Sequence, residues 1–185
     1  MQLPTTPAQT EGPFFPVAFE PRGNDLTRRG AEKAVGEPVR IAGRVTDRAG
    51  RPLAGACLRL WQTDSRGSYD HPDAANRHPL DPGFGYWGET FSDAAGRYAF
   101  RTVRPGPYPV RPDWTRTPHV HFQVHHTAAP LLTTQLYFPD HPLNGADVIF
   151  NEVPPAGRAL VTARPLDAAG DAGDVVAYAF DIVLG

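Results

Sequence analysis

The chain has 185 residues, enough for one well-buried core and short for two ordinary domains. A formal charge of -2, from 18 basic and 20 acidic residues, excludes the basic footprint of a protein that binds nucleic acid or an acidic membrane surface. The single cysteine, Cys57, has no disulfide partner within the chain, and neither a leader-like N-terminus nor a run of about 18 apolar residues occurs, so a reducing cytoplasm and no membrane are expected.

Proline (21) and glycine (18) punctuate short β-like runs along the chain, which points to an all-β fold, an antiparallel β-sandwich with long active-site loops. Residues 1–37 show little periodicity. Gln9 to Pro16 is turn-rich, with adjacent Phe14 and Phe15, and reads as an N-terminal arm lying over a core or as an opening into a site; Asp25 to Glu32 reads as a short helix or loop. Residues 38–185 read as the sandwich itself. Val39 to Asp47 alternates apolar and polar residues, Asp47 to Leu53 turns, and Ala56 to Gln62 alternates again, giving two strands with Cys57 as a buried thiol. A related pattern follows an Asp-x-x-Gly turn over Asp93 to Val103. Between the two, Asp64 to Ser92 is longer than a hairpin needs, and its aromatic residues argue for an ordered, functional loop. Tyr69 stands near its start, just beyond the strand ending Leu60-Trp61-Gln62, where a strand end hands a side chain to a site. Further strands are expected over His119 to His125, Thr133 to Phe138, Ala159 to Ala163 and Val175 to Val183.

Chemistry concentrates between Pro105 and Val124. His119 and His121 stand two apart on a predicted strand, so both imidazoles leave the same face and can serve one metal. Tyr108 lies between Pro107 and Pro109, which restrict its backbone on both sides. A free phenol titrates near about 10, and a strongly charged ion is what keeps it ionised at neutral pH, so Tyr with His points to ferric iron before zinc. A His-x-His pair of half-exposed side chains and a Tyr in a packed turn remain the plain alternatives. His125 is in phase with the pair but reads as a solvent or loop residue, and His71, His78 and His141, each before a proline, read as surface residues. Asp64, Asp73, Asp81 and Asp93 lie in turn contexts. No phosphate loop, Cys-x-x-Cys pair or Gly-x-Ser-x-Gly elbow is present.

Taken in order, Gly43-Arg44-Val45 with Gly50-Arg51-Pro52-Leu53, Leu60 to Asp64 with Gly67-Ser68-Tyr69, Thr102 to Pro109, Arg116 to Phe122 and Gln135 to Phe138 resemble the motifs of the intradiol ring-cleavage dioxygenases. The resemblance covers most of residues 10–140. It implies a non-haem Fe(III) enzyme that cleaves a catechol-type ring with O2 to a cis,cis-muconate-type diacid. By the same resemblance Tyr69, Tyr108, His119 and His121 would ligate the iron, with a solvent hydroxide as fifth ligand. Two phenolates and a hydroxide then balance three positive charges, and a neutral cluster is cheaper to bury than an ion. Tyr108 would be the phenolate that substrate displaces, Arg116 would sit beside the ring, and Gln135 would be a polar residue near the pocket.

The catechol and hydroxyquinol branch of that family carries a long N-terminal helical segment that this sequence lacks, and the length is nearer the protocatechuate branch. Enzymes of that branch combine two unlike subunits, one without iron ligands. All four ligands occur here in one chain, so a homo-oligomer is expected, acting on protocatechuate or a similarly substituted catechol. Val110 stands where that branch often carries Trp after its Tyr-Pro pair. The repeated strand and Asp-x-x-Gly pattern in residues 39–103 also resembles the transthyretin-like sandwich, a non-enzymatic binding module; the four candidate ligands separate the two readings. Arg116 precedes His119 by three residues and would face away from it on a continuous strand. Pro118 is expected to let the preceding residues bend, so that Arg116 reaches the site.

Overall fold

The computed structural model describes residues 2–20, 22–139, 141–166 and 175–185. In chain order the first strands are β1 (Arg28–Arg29), β2 (Glu32–Lys33), β3 (Pro38–Asp47), β4 (Cys57–Trp61), β5 (Trp87–Phe91), β6 (Arg97–Val103), β7 (Tyr108–Arg111) and β8 (Trp114–Arg116). They are followed by β9 (His119–His126), β10 (Ala129–Tyr137), helices α1 (Val148–Glu152) and α2 (Pro155–Val161), and strands β11 (Arg164–Leu166), β12 (Val176–Ala179) and β13 (Ile182–Leu184). Two sheets carry the fold. One has the order β10-β9-β4-β5 and is antiparallel throughout. The other is centred on β3, with β6 antiparallel on one edge, β12 and β13 parallel on the opposite edge, and β11 beyond β12.

The two-residue period of the strands decides which side chains meet. Leu58 and Leu60 of β4, Val120, Phe122 and Val124 of β9, and Leu136 of β10 point inward against Val39 and Ile41 of β3 and Phe100 of β6, and all are fully buried. Phe122 joins the layers, its ring 5.9 Å from Phe100 and 5.3 Å from Phe180. Burying side chains of this size stabilises the fold by about 1.5–3 kcal/mol each. The repeated Asp-x-x-Gly pattern is one turn used twice. Asp47 accepts from the N–H of Ala49 and Arg51 and pairs with the Arg51 side chain; Asp93 does the same with Ala95 and Arg97.

Four stretches differ from expectation. Residues 25–32, predicted as helix or loop, contribute to the β1-β2 hairpin, whose turn is made at Gly30 with φ 63°. The long loop from Asp64 to Ser92 contains β5, an edge strand beside β4. Residues 159–163, predicted as a strand, lie mostly in α2. Pro155 at the start of that helix presets φ where an N–H needs no partner. The strand predicted over 175–183 is two strands, β12 and β13, separated at Phe180 and Asp181. Phe180 N–H donates to the Ala42 carbonyl, and the Phe180 carbonyl lies where a side chain on Gly43 would stand. Cys57 is half-buried, and burial beside Glu89 pushes its thiol up to about 11.

The N-terminal segment crosses both sheets: Leu3 N–H donates to Arg48, Thr6 to Val183 and Gln9 to Thr133. Among the described residues no helix is long and apolar enough to cross a membrane. Gly43→Ala is expected to destabilise the protein by about 3 kcal/mol through overpacking against backbone, which lowers the melting temperature by roughly 6–12 °C in a chain of this size. A thermal melt checks it, and an unchanged midpoint would contradict the close approach of the last strands to β3.

Candidate metal centre

At one end of the antiparallel sheet the outer face of β9 is covered rather than solvated. His119 lies opposite Tyr137 of β10, and His121 opposite Gln135 of β10 and Trp61 of β4. The strand pleat turns both imidazoles to that face, and both are buried. Their Nε2 atoms lie 3.2 Å apart, and the Tyr69 hydroxyl lies 3.4 Å from His119 Nε2. The Tyr108 ring packs edge-on to Tyr69 at 5.4 Å and lies 5.9 Å from His119. The four residues singled out from the sequence are thus brought together.

Each is held by a local device. His119 Nδ1 bonds the Thr117 carbonyl at 2.7 Å, which places its proton there and leaves Nε2 with a free lone pair. Trp61 stacks on His121 with ring centres 4.7 Å apart and planes within 10°. After β4 the chain turns around Asp64, which accepts from the N–H of Arg66 and Ser68, and Tyr69 is then clamped at its N–H and carbonyl by Asn76. The loops carrying the two tyrosines meet through glycine. A Cβ on Gly67 would strike the Pro107 carbonyl, and one on Gly106 would strike the Gly67 nitrogen. The N-terminal arm closes the top. Gly12 lies against the His121 ring, and Phe14 packs 4.9 Å from Tyr69 and 6.2 Å from Tyr108. The arm is therefore also part of the site's wall.

Arg116 reaches this site, the chain leaving the plane of the β9 sheet at Thr117-Pro118 as expected. It ends β8 directly opposite Tyr108, in a hairpin separate from β9. Its guanidinium is buried, Nε donating to Asp147 at 2.8 Å and a terminal nitrogen to Gln135 Oε1 at 2.6 Å. Gln135 lies behind Arg116 rather than on the cavity wall. It accepts from Tyr137 as well and donates to the Thr10 carbonyl of the arm. Asp147 also accepts from Thr117 N–H and caps α1 through Phe150 N–H. Asp147 and Tyr137 were not among the sequence candidates. Tyr137 is two residues from Gln135 and so shares its face, and an Asp ahead of Val148 to Phe150 has the form of a helix cap; nothing in the sequence pairs that Asp with Arg116.

The remaining histidines divide. His125 and His78 are exposed, as expected. His71 and His141 are not free surface residues: His71 packs 5.6 Å from Phe14, and His141 Nδ1 lies 3.1 Å from the Thr117 hydroxyl.

Burial and then the nearby Arg116 charge push both site histidines well below the ordinary range, so they are neutral and their lone pairs available. Burial pushes the Tyr69 phenol well above its usual range, with Tyr108 adding to the effect; burial also raises Tyr108, against the pull of Arg116. No group of three His, Cys, Asp or Glu converges among the described residues, because half of this donor set is phenolic. The set fits a metal. Bonds of about 2.1 Å meeting at roughly 90–110° separate neighbouring donors by about 3.0–3.4 Å, which the nitrogen and hydroxyl separations match. His121 Nδ1, moreover, is buried without a hydrogen-bond partner, so the ring is oriented by stacking rather than by a bond of its own. A cavity of about 580 Å³ opens above the cluster, with Tyr69, Tyr108, Arg116 and His121 at its inner end.

Fold and cluster together define a β-sandwich protein with a buried His-Tyr donor set beneath a ligand-sized cavity. The dioxygenase family model matches residues 10–185, and the chain belongs to the intradiol ring-cleavage dioxygenases. It is 37% identical over 170 residues to the protocatechuate 3,4-dioxygenase beta chain of Burkholderia cepacia, covering 89% of this chain and 72% of that one. It is 31% identical over 162 residues to catechol 1,2-dioxygenase of Candida albicans, covering 75% of this chain and 49% of that relative, so it spans about half the latter's length. Among solved structures, the dioxygenase domain of a dioxygenase carbohydrate-binding protein fusion from Streptomyces sp. SirexAA-E superposes with a TM-score of 0.72 at 34% identity, covering 98% of each chain.

Removing the Asp147 carboxylate would leave Arg116 charged and unpaired in the interior. Asp147→Ala is expected to cost about 3–5 kcal/mol, read as a lower midpoint in chemical denaturation. A wild-type midpoint would show that the buried ion pair does not hold this region together.

Proposed function

We propose that the chain is a non-haem Fe(III) intradiol dioxygenase in which Tyr69, Tyr108, His119 and His121 hold the iron. The observation that carries this is that His121 Nε2 and the Tyr69 hydroxyl both lie within 3.4 Å of His119 Nε2, under a cavity and inside the protein. Bound there, iron would supply Lewis acidity and a template on which a catechol becomes reactive towards O2. Substrate is a catechol, protocatechuate or a related substituted ring ahead of bare catechol, in keeping with the name of the Burkholderia relative. The product is a cis,cis-muconate-type diacid. Family membership favours this reading over a metal-free transthyretin-like module.

The chain's own residues have separate tasks. Tyr108 is less buried than Tyr69 and lies on the cavity wall, so, once bound iron had ionised it, its oxygen would be the base at hand for a hydroxyl proton of the arriving catechol. Arg116 keeps a permanent positive charge beside the ring; burial opposes that charge, but Tyr108 and Asp147 more than offset the effect and raise its pKa. Gln135 positions Arg116 and ties it to the arm. Phe14, Trp114 and Ile149 line the cavity and limit the water that reaches it. Residues 1–37 are assigned as the arm and 38–185 as the catalytic sandwich. With four donors in one chain, a homo-oligomer is proposed, although two relatives from Burkholderia cepacia are named as beta and alpha chains of protocatechuate 3,4-dioxygenase. The free Cys57 accords with a cytoplasmic location.

The direct test is turnover of protocatechuate and catechol by iron-loaded protein under 18O2. Both labelled atoms are expected in a ring-opened diacid, and absence of that product would overturn the proposal. Tyr108→Phe is expected to retain iron and lose most turnover. Arg116→Gln is expected to lower kcat by about a hundred- to a thousandfold at unchanged iron content, with partial recovery in Arg116→Lys. Wild-type kcat in Arg116→Gln would remove Arg116 from the catalytic set.

A further inference from the structure

The cavity is larger than one aromatic ring requires. A space of about 150 Å³ accommodates benzene, whereas this cavity holds about 580 Å³, within the range of about 300–1,000 Å³ that takes drug-sized ligands. Tyr69, Tyr108, Arg116 and His121 occupy only the inner end. The remainder runs outward between the β7-β8 hairpin, which presents Val110 and Trp114, and the loop Ala74 to His78. That loop is built into the site. Asn76 clamps Tyr69, Ser68 Oγ donates to the His78 carbonyl, and Arg66 donates to the Pro79 carbonyl. The outer wall therefore keeps a fixed relation to the donor cluster. Val110 is 47% exposed, so the apolar part of the groove lacks cover in the free protein. The lining of this part carries Arg66 and Arg77 against one acid, Asp73; Arg66 also stands 3.9 Å from the buried Asp64 carboxylate, which leaves Arg77 as the less engaged cation.

We propose that this groove is a subsite for an elongated substituent on the catechol ring: an apolar chain or second ring, lying against Val110 and Trp114 and ending in a carboxylate near Arg66 and Arg77. The inference rests on the ring-cleavage reading and names the substrate class of that same site. Burying one further apolar segment supplies about 1.5 kcal/mol or more, which corresponds to roughly tenfold in affinity. The exposed arginines add a smaller, salt-sensitive part.

The probes are 3,4-dihydroxycinnamate, its uncharged methyl ester, protocatechuate and catechol. With iron-loaded protein, kcat/KM for 3,4-dihydroxycinnamate is expected to exceed that for catechol and protocatechuate by about tenfold or more. In air-free samples, quenching of tryptophan fluorescence, to which Trp114 reports, is expected to give a Kd for it lower than that of catechol by a similar factor. Val110→Trp fills the groove and is expected to reduce this preference about tenfold. Arg77→Ala is expected to weaken binding of the acid and leave its methyl ester unaffected. Equal or weaker binding and turnover of the elongated catechol, with small catechols cleaved normally, would overturn the subsite and leave the ring-cleavage reading intact. If no catechol is cleaved, that reading fails, and the air-free binding ratio alone decides the subsite.

Discussion

The structure depends on three polar atoms gathered in the interior around His119 Nε2, which lies 3.2 Å from His121 Nε2 and 3.4 Å from the Tyr69 hydroxyl. Gathering them costs desolvation, and neutral imidazoles whose lone pairs converge return little of it by themselves. A scaffold is needed to hold them together. The pleat of β9 supplies the two imidazoles, pairing with β4 supplies the Trp61 face beneath one of them, and the Thr117 carbonyl fixes the ring of the other. Tyr69 comes from a loop and Tyr108 opens β7, and the segments that carry them are brought close enough by Gly67 and Gly106.

Electrostatics gives the cluster its second character. Arg116 is buried beside it, answered by Asp147 and by the carbonyl oxygen of Gln135. Burial, and then its charge, keep protons off the histidines, while at Tyr108 its charge opposes the burial that raises the phenol, so the imidazoles are neutral and the phenols need a cation to ionise. Such a site is predisposed to a highly charged cation. Asp147 joins this charge to the architecture, because the same carboxylate caps α1 and receives the N–H of Thr117, two residues before His119. The Arg116 network and the histidine strand are therefore fastened at one point.

Much of this was legible in the sequence where a local rule governs. Strand alternation located β3, β4, β6, β9 and β10, the Asp-x-x-Gly turns recurred as read, and the i, i+2 rule placed His119 and His121 on one face. What escaped depends on distant partners. Residues 159–163 have strand-like composition, yet Pro155 and the connection to β11 make them mostly helix. The parallel pairing of β12 and β13 with β3 leaves no mark in alternation. The break at Thr117-Pro118 that takes Arg116 out of the histidine sheet was legible, but its place opposite Tyr108 in the β7-β8 hairpin was not. The Asp147 contact spans 31 residues and has no local signal. The donor cluster was legible because its histidines obey strand geometry and Tyr108 opens a strand between two prolines, whereas Tyr69 sits in a loop beyond β4 and the network behind Arg116 is visible only once the chain is folded.

The central claim is that the two tyrosines and two histidines bind one ferric ion. Titration of the metal-free protein with Fe(III), followed by visible absorption and iron analysis, tests it most directly. About one iron per chain and a broad visible band from phenolate-to-iron charge transfer are expected, with iron binding lost in His119→Ala and in His121→Ala. Protein that stays colourless at saturating iron, or histidine variants that bind iron as the parent does, would contradict it.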